Sequence, residues 1–134
     1  MTRAQLIEQF VDTISQFEDV DASPHRFGGT EFNFGKVEIG HVHRNNGMVD
    51  IPFTVKIRQA LVAESQAQEH HLLKESGWIT FFIRDEATLQ QAIWLMRLSY
   101  LQKTSRRHGL DVDAVASLHL SDAVQQASFP RLTR

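Results

Sequence analysis

Seven of the 134 residues are histidine, and four of them sit near the ends of predicted strands. His41-x-His43 places two imidazoles on the same side of one strand, because side chains along a strand alternate between its faces. Metal sites often use that geometry. His70 and His71 add two more on a second strand, where neighbouring residues point to opposite faces. A nearby carboxylate, Asp50 or Glu38, would complete a nitrogen/oxygen shell suited to Zn, Fe or Mn. The sequence contains no cysteine, which excludes disulfides, thiolate ligands and thiol nucleophiles together.

Hairpin register decides whether Asp50 belongs with the histidines. Asn45-Asn46-Gly47 is a strong turn signal, since Asn and Gly tolerate positive φ. A two-residue loop at Asn46-Gly47 pairs His43 with Asp50 and points both to one face. A three-residue loop pairs His43 with Val49 and unites Val37, Ile39, Val49, Ile51 and Phe53 on one apolar face. Burial favours the second register, which turns Asp50 away from the histidines. Gly35-x5-His41-x-His43 also resembles the opening of the cupin signature. The glutamate that should follow is missing, because Asn45, Asn46, Gly47 and Met48 occupy its stretch. No bound metal and no cofactor are therefore predicted; were a metal held, His41, His43 and His70 would be its ligands. Glu31 and Glu38 read as solvent-facing strand positions without a partner.

These side chains need elements to hold them. Ile7, Phe10, Val11, Ile14 and Phe17 recur at helical spacing behind a Thr2/Gln5 capping box, and the helix ends before Pro24. From Phe27 to Phe53 the period is two, giving strands around Phe32–Phe34, Val37–His43 and Val49–Phe53. Pro52 places the last of these at an edge or at its own end. A helix follows from about Thr54 to Glu64, then a short strand around His70 to Leu73 and a buried strand from Trp78 to Ile83. Asp85 caps a long helix from about Glu86 to Arg106, and Ser121 caps a short one over Asp122 to Ser128. The expectation is one α+β domain over residues 1–134: a mostly antiparallel sheet with an N-terminal helix, an inserted helix and a long C-terminal helix packed on it.

Charge and length narrow the function classes. With 14 basic and 16 acidic residues the net charge is -2, which gives little general attraction to phosphate backbones. Lys103, Arg106 and Arg107 nevertheless cluster near the end of the long helix, with Arg131 and Arg134 in the tail. They are the nucleic-acid candidates, although cations at a helix C-terminus also suit its dipole. No Gly-x-Gly-x-x-Gly, Walker loop or Gly-x-Ser-x-Gly is present. The longest apolar run, Trp78 to Ile83, falls far short of the ~20 residues a membrane span needs. A cytoplasmic protein is expected, with no membrane partner.

The middle of the chain resembles the luciferase-domain family. Phe27-Gly28-Gly29-Thr30-Glu31-Phe32, Glu38-Ile39-Gly40-His41-Val42-His43 and Val49-Asp50-Ile51-Pro52-Phe53 fit it in order. Glu69-His70-His71, Ser76-Gly77-Trp78-Ile79-Thr80-Phe81 and Leu98-Ser99-Tyr100 continue the match, which covers about residues 26–101. The layout is also similar, at fold level, to MmcQ/YjbR-like proteins. The family resemblance implies a bacterial protein and draws attention to His41, His43, Asp50, His70 and Trp78 as ligand-binding candidates. His25, His108 and His119 fall outside the matching blocks. A flavin-dependent barrel luciferase is excluded by size, since a (β/α)₈ barrel takes about 250 residues. The leading expectation is a non-enzymatic binding or interaction module. A small-ligand or metal-dependent activity around His41, His43 and His70 is the alternative, and nucleic-acid binding the less favoured third. An exposed edge at Val49–Phe53 would support a homodimer.

Overall fold

The structure is a computed structural model that describes residues 1–25 and 28–132. Arg26 and Phe27, which open the family-like stretch, and Arg134 of the basic tail lie outside the described residues. Helix α1 (Arg3–Ser15) opens on the expected capping box. Thr2 Oγ1 accepts from Gln5 N at 3.2 Å, and Gln5 Oε1 accepts from Thr2 N at 2.8 Å. The strands are β1 (Val20–His25), β2 (Gly29–Phe34), β3 (Val37–His43), β4 (Met48–Pro52), β5 (Gln68–Glu69) and β6 (Trp78–Phe82). The remaining helices are α2 (Val55–Ala63), α3 (Glu86–His108), α4 (Val112–Ala116) and α5 (Asp122–Ser128), followed by a 3₁₀ turn at Pro130–Leu132.

Among the described residues the six strands form one sheet in the order β1-β2-β3-β4-β6-β5, with every neighbouring pair antiparallel. Strand β4 therefore lies in the interior, between β3 and β6. This corrects the expected edge at Val49–Phe53, and with it the basis for a homodimer there. Pro52 is accommodated because it is the last residue of β4, opposite Trp78. One face of the sheet carries Phe32, Val42, Val49, Ile51 and Ile79, all without exposed surface. Helices α1 and α3 pack against this side, and Leu6, Phe10, Ile14, Leu89, Leu95 and Met96 complete the core.

Two irregularities decide what the other face carries. In the β2–β3 ladder Phe32 faces Gly40 but Asn33 faces Glu38, so Ile39 is one extra residue in β3. This β-bulge changes the phase of the strand. Val37, Ile39, His41 and His43 do not share a face. Ile39 is buried in the core, where its carbonyl accepts from Ser99 Oγ at 2.8 Å. The bulge also turns Glu38 onto the side that His41 occupies, although the two are three residues apart. Gly40 at the bulge has φ +155°, and a Cβ there would sit 2.5 Å from Met96 Sδ. Only glycine permits this approach.

The second irregularity is the β3–β4 turn. His41 faces Asp50, Val42 faces Val49 and His43 faces Met48, so four residues, Arg44 to Gly47, close the hairpin. Gly47 N donates to His43 O at 2.9 Å, and Asn46 Oδ1 accepts from Met48 N at 3.0 Å. The expected pairing of His43 with Val49 is thus wrong by one residue. It assumed that Val37 and Ile39 stay in phase with Val49 and Ile51. The bulge breaks that phase, and burial is satisfied with Asp50 on the histidine side.

Candidate metal centre on the histidine face

The row of cross-strand partners Ser23, Glu31, His41, Asp50 and Thr80 runs over five strands. Asp50 lies between His41 and Thr80 in this row and is 1% exposed. A buried carboxylate must be compensated, and here the compensation is dense. Oδ2 lies 3.3 Å from His41 Nε2 and 3.0 Å from His43 Nε2. Oδ1 accepts from Thr80 Oγ1 at 2.8 Å and faces His70 Nε2 at 3.7 Å and His71 Nδ1 at 3.9 Å. Burial alone would raise the carboxyl, but the bonds from His41, Thr80 and His43 bring it down to about 2.

His41 is held at both nitrogens. Its Nδ1 is 2.6 Å from Glu38 Oε2, and its Nε2 faces Asp50. Burial opposes its charge, yet the contacts to Asp50 and Glu38 prevail and raise it to about 9. The His25 ring stacks on it at 4.0 Å between centroids, and His25 Nδ1 contacts Glu31 Oε1 at 2.9 Å. The His25 bond is the first cause that lowers Glu31. Glu31 and Glu38 are therefore both partnered, which corrects their reading as free solvent-facing positions.

The two halves of Asp50 differ in chemistry. His70 Nδ1 accepts from the backbone N–H groups of Leu72 and Leu73 at 3.1 and 3.0 Å. Its proton must then sit on Nε2, pointed at Asp50 Oδ1, and no lone pair remains for an ion. Burial, helped by the neighbouring histidines, keeps its pKa below the usual value. The Oδ1 side is consequently a proton-filled, structural half. On the Oδ2 side, His41 and His43 approach through Nε2, and Glu38 holds His41 from behind. A carboxylate behind a ligating imidazole is the common outer-shell arrangement of histidine metal sites.

Sequence reasoning placed His41, His43, Asp50 and His70 among the candidates, and the structure brings all four together with Trp78. The Trp78 ring lies 5.6 Å from that of His41 and 6.0 Å from that of His70. His70 and His71 do not point to opposite faces of a strand. Strand β5 ends at Glu69, and beyond it the two rings stack at 4.2 Å, both toward Asp50. The loop that carries them is tied down by Arg58, which donates to Ser76 O at 2.9 Å and to Lys74 O. His25, Glu31 and Thr80 were missed, while Glu38 and His71 entered the metal argument but not the set of candidate ligands. Alternation with Trp78 in β6 is the signal that could have found Thr80.

The basic candidates do not share a surface. Lys103 turns inward and donates to Pro52 O and to Ser99 Oγ, the latter at 2.8 Å, with its ammonium 5.6 Å from the Phe53 ring. Arg107 lies over the Phe34 ring at 5.4 Å, while Arg106 is exposed beside Gln102.

Residues 36–99 match the family described as Luciferase domain. That stretch holds Glu38, His41, His43, Asp50, His70, His71, Trp78 and Thr80, and leaves out His25 and Glu31. No curated protein and no solved structure matches the chain. No helix among the described residues is long and apolar enough to cross a membrane.

Proposed function

We propose that this member of the luciferase-domain family binds a divalent transition-metal ion through His41 Nε2, His43 Nε2 and Asp50 Oδ2. One observation carries the reading: both Nε2 atoms converge on one carboxylate oxygen, at 3.3 and 3.0 Å. Ligand atoms around a shared ion stand about this far apart when each bond is roughly 2.0–2.2 Å. Glu38 supplies the support for His41, and the low basicity of Asp50 keeps the third ligand ionised. Two imidazoles and one carboxylate suit Zn²⁺, Fe²⁺ or Mn²⁺ and leave coordination positions open for a small ligand. The metal-dependent alternative named from the sequence thus takes a concrete form, with Asp50 in place of His70 as third ligand and the open positions as the seat of any further chemistry.

The competing reading follows from the same distances. Protons in place of the ion make His41 an imidazolium between Glu38 and Asp50, and the cluster is then a buried ion-pair network. Elemental analysis of protein purified without chelator, followed by calorimetric titration with each ion, separates the two. The metal reading expects about one equivalent of ion per chain and a higher melting temperature when it is bound. His43→Ala should abolish binding. Less than about a tenth of an equivalent, with melting unmoved by added ion, would establish the proton-filled cluster instead.

A further inference from the structure

A second site lies where α3, α5 and the 3₁₀ turn meet. Gln102, Ser105 and Arg106 of α3, Leu110 beyond it, and Ser128, Phe129 and Arg131 enclose much of a cavity of about 460 Å³. That volume is in the range of small-molecule sites. It shares no lining residue with the histidine face.

Three features of the wall point to one class of occupant. Among the described residues two guanidinium groups and no carboxylate line the cavity, and neither arginine is in an ion pair with a carboxylate. With its amide oxygen toward the guanidinium, Gln102 accepts from Arg106 Nε and Nη2 at 3.2 and 3.1 Å, which fixes the group without neutralising it. Against these polar groups stand Leu110 and Phe129, so one part of the wall is cationic and another apolar.

We infer that this cavity binds a small organic anion, with its carboxylate or phosphate head at Arg106 and Arg131 and a compact apolar body against Leu110 and Phe129. Arginine matches both head groups through paired N–H donors. This gives part of the basic cluster in the sequence a role that requires no nucleic acid.

The test is a calorimetric titration of the full chain with benzoate, phenyl phosphate and neutral benzyl alcohol. The protein is treated with chelator first, so that an anion coordinating an ion at Asp50 is not counted. Both anions should bind more tightly than the alcohol by about tenfold or more, and binding should weaken with added salt. The tighter of the two identifies the preferred head group. Arg106→Gln and Arg131→Gln should each weaken the anions about tenfold, and Arg131→Gln, at an exposed position, should leave the melting temperature in place. Equal binding of the alcohol, no binding of either anion at millimolar concentration, or unchanged affinity in both arginine variants would overturn the proposal.

Discussion

Asp50 organises the histidine face because a carboxylate that is 1% exposed needs partners and finds them on two strands and a loop. Replacing it with Asn leaves His41 without its second anion and removes the acceptor from either His43 or Thr80, which bond different carboxylate oxygens. Breaking a buried charge pair from one side costs about 3–5 kcal/mol, so Asp50→Asn should lower the unfolding free energy by about that much in urea titration. Thr80→Val removes the hydroxyl's bond to Asp50 and its longer 3.5 Å contact with His71 Nδ1 and should cost only about 1–3 kcal/mol. It should also leave ion binding intact, because Thr80 serves the Oδ1 half. An Asp50→Asn variant as stable as the parent would show that the histidines need no anion beneath them. Lys103 carries a second residue-scale prediction. Burial, with the Arg106 charge beside it, brings this ammonium from 10.5 to about 7, against the pull of Glu38. Between those two values the unfolded chain binds more protons than the folded one, so this group's contribution to stability rises with pH. Below about 7 both states are charged and the contribution is flat at its lowest level. The difference in unfolding free energy between the parent and Lys103→Met should therefore shift in favour of the parent from pH 6.5 to pH 9. A difference independent of pH would show that the lysine titrates normally.

At the scale of elements, the site depends on one inserted residue. A regular β3 would put Glu38 on the face opposite His41, and Ile39 on the histidine side. The bulge reverses both, and it is possible only because Gly40 lets Met96 approach so closely. Gly40→Ala should destabilise the protein by about 1–3 kcal/mol through overpacking. Met96 is fully buried, and truncating it to Ala alone should cost about 2–5 kcal/mol. The double variant should cost less than the sum, because removing the Met96 side chain relieves the clash that the new Cβ creates. Additive costs in the cycle would place the strain of Gly40→Ala in its backbone conformation rather than in this contact.

Across the whole molecule, helices α1, α2, α3 and α5 and their caps were legible in the sequence, because Thr2, Thr54, Asp85 and Ser121 act through local hydrogen bonds at fixed spacing, whereas the five-residue α4 behind Asp111 was missed. Likewise β3, β4 and β6 follow from alternation, and His41 and His43 from being two apart. The β-bulge, the four-residue turn and the sheet order were not, since each is set by pairing between distant segments. Those three decide that Asp50 and Glu38 join the histidines. Strand β1 was missed for a related reason: its pattern is almost wholly exposed, so it has no apolar alternation and exists by its ladder to β2. That exposure makes β1 the long edge of the sheet, while the other edge, β5, has only two residues. An exposed edge invites pairing with a second chain unless charge or proline blocks it. Within β1, Asp21 supplies a charge and Pro24 withholds an N–H. The double substitution Asp21→Thr and Pro24→Val should make the edge competent to pair. Light scattering at equal concentration should then give a larger mass for the variant than for the parent chain. Equal masses would show that the edge is protected by its neighbours, foremost α1, which packs against β1.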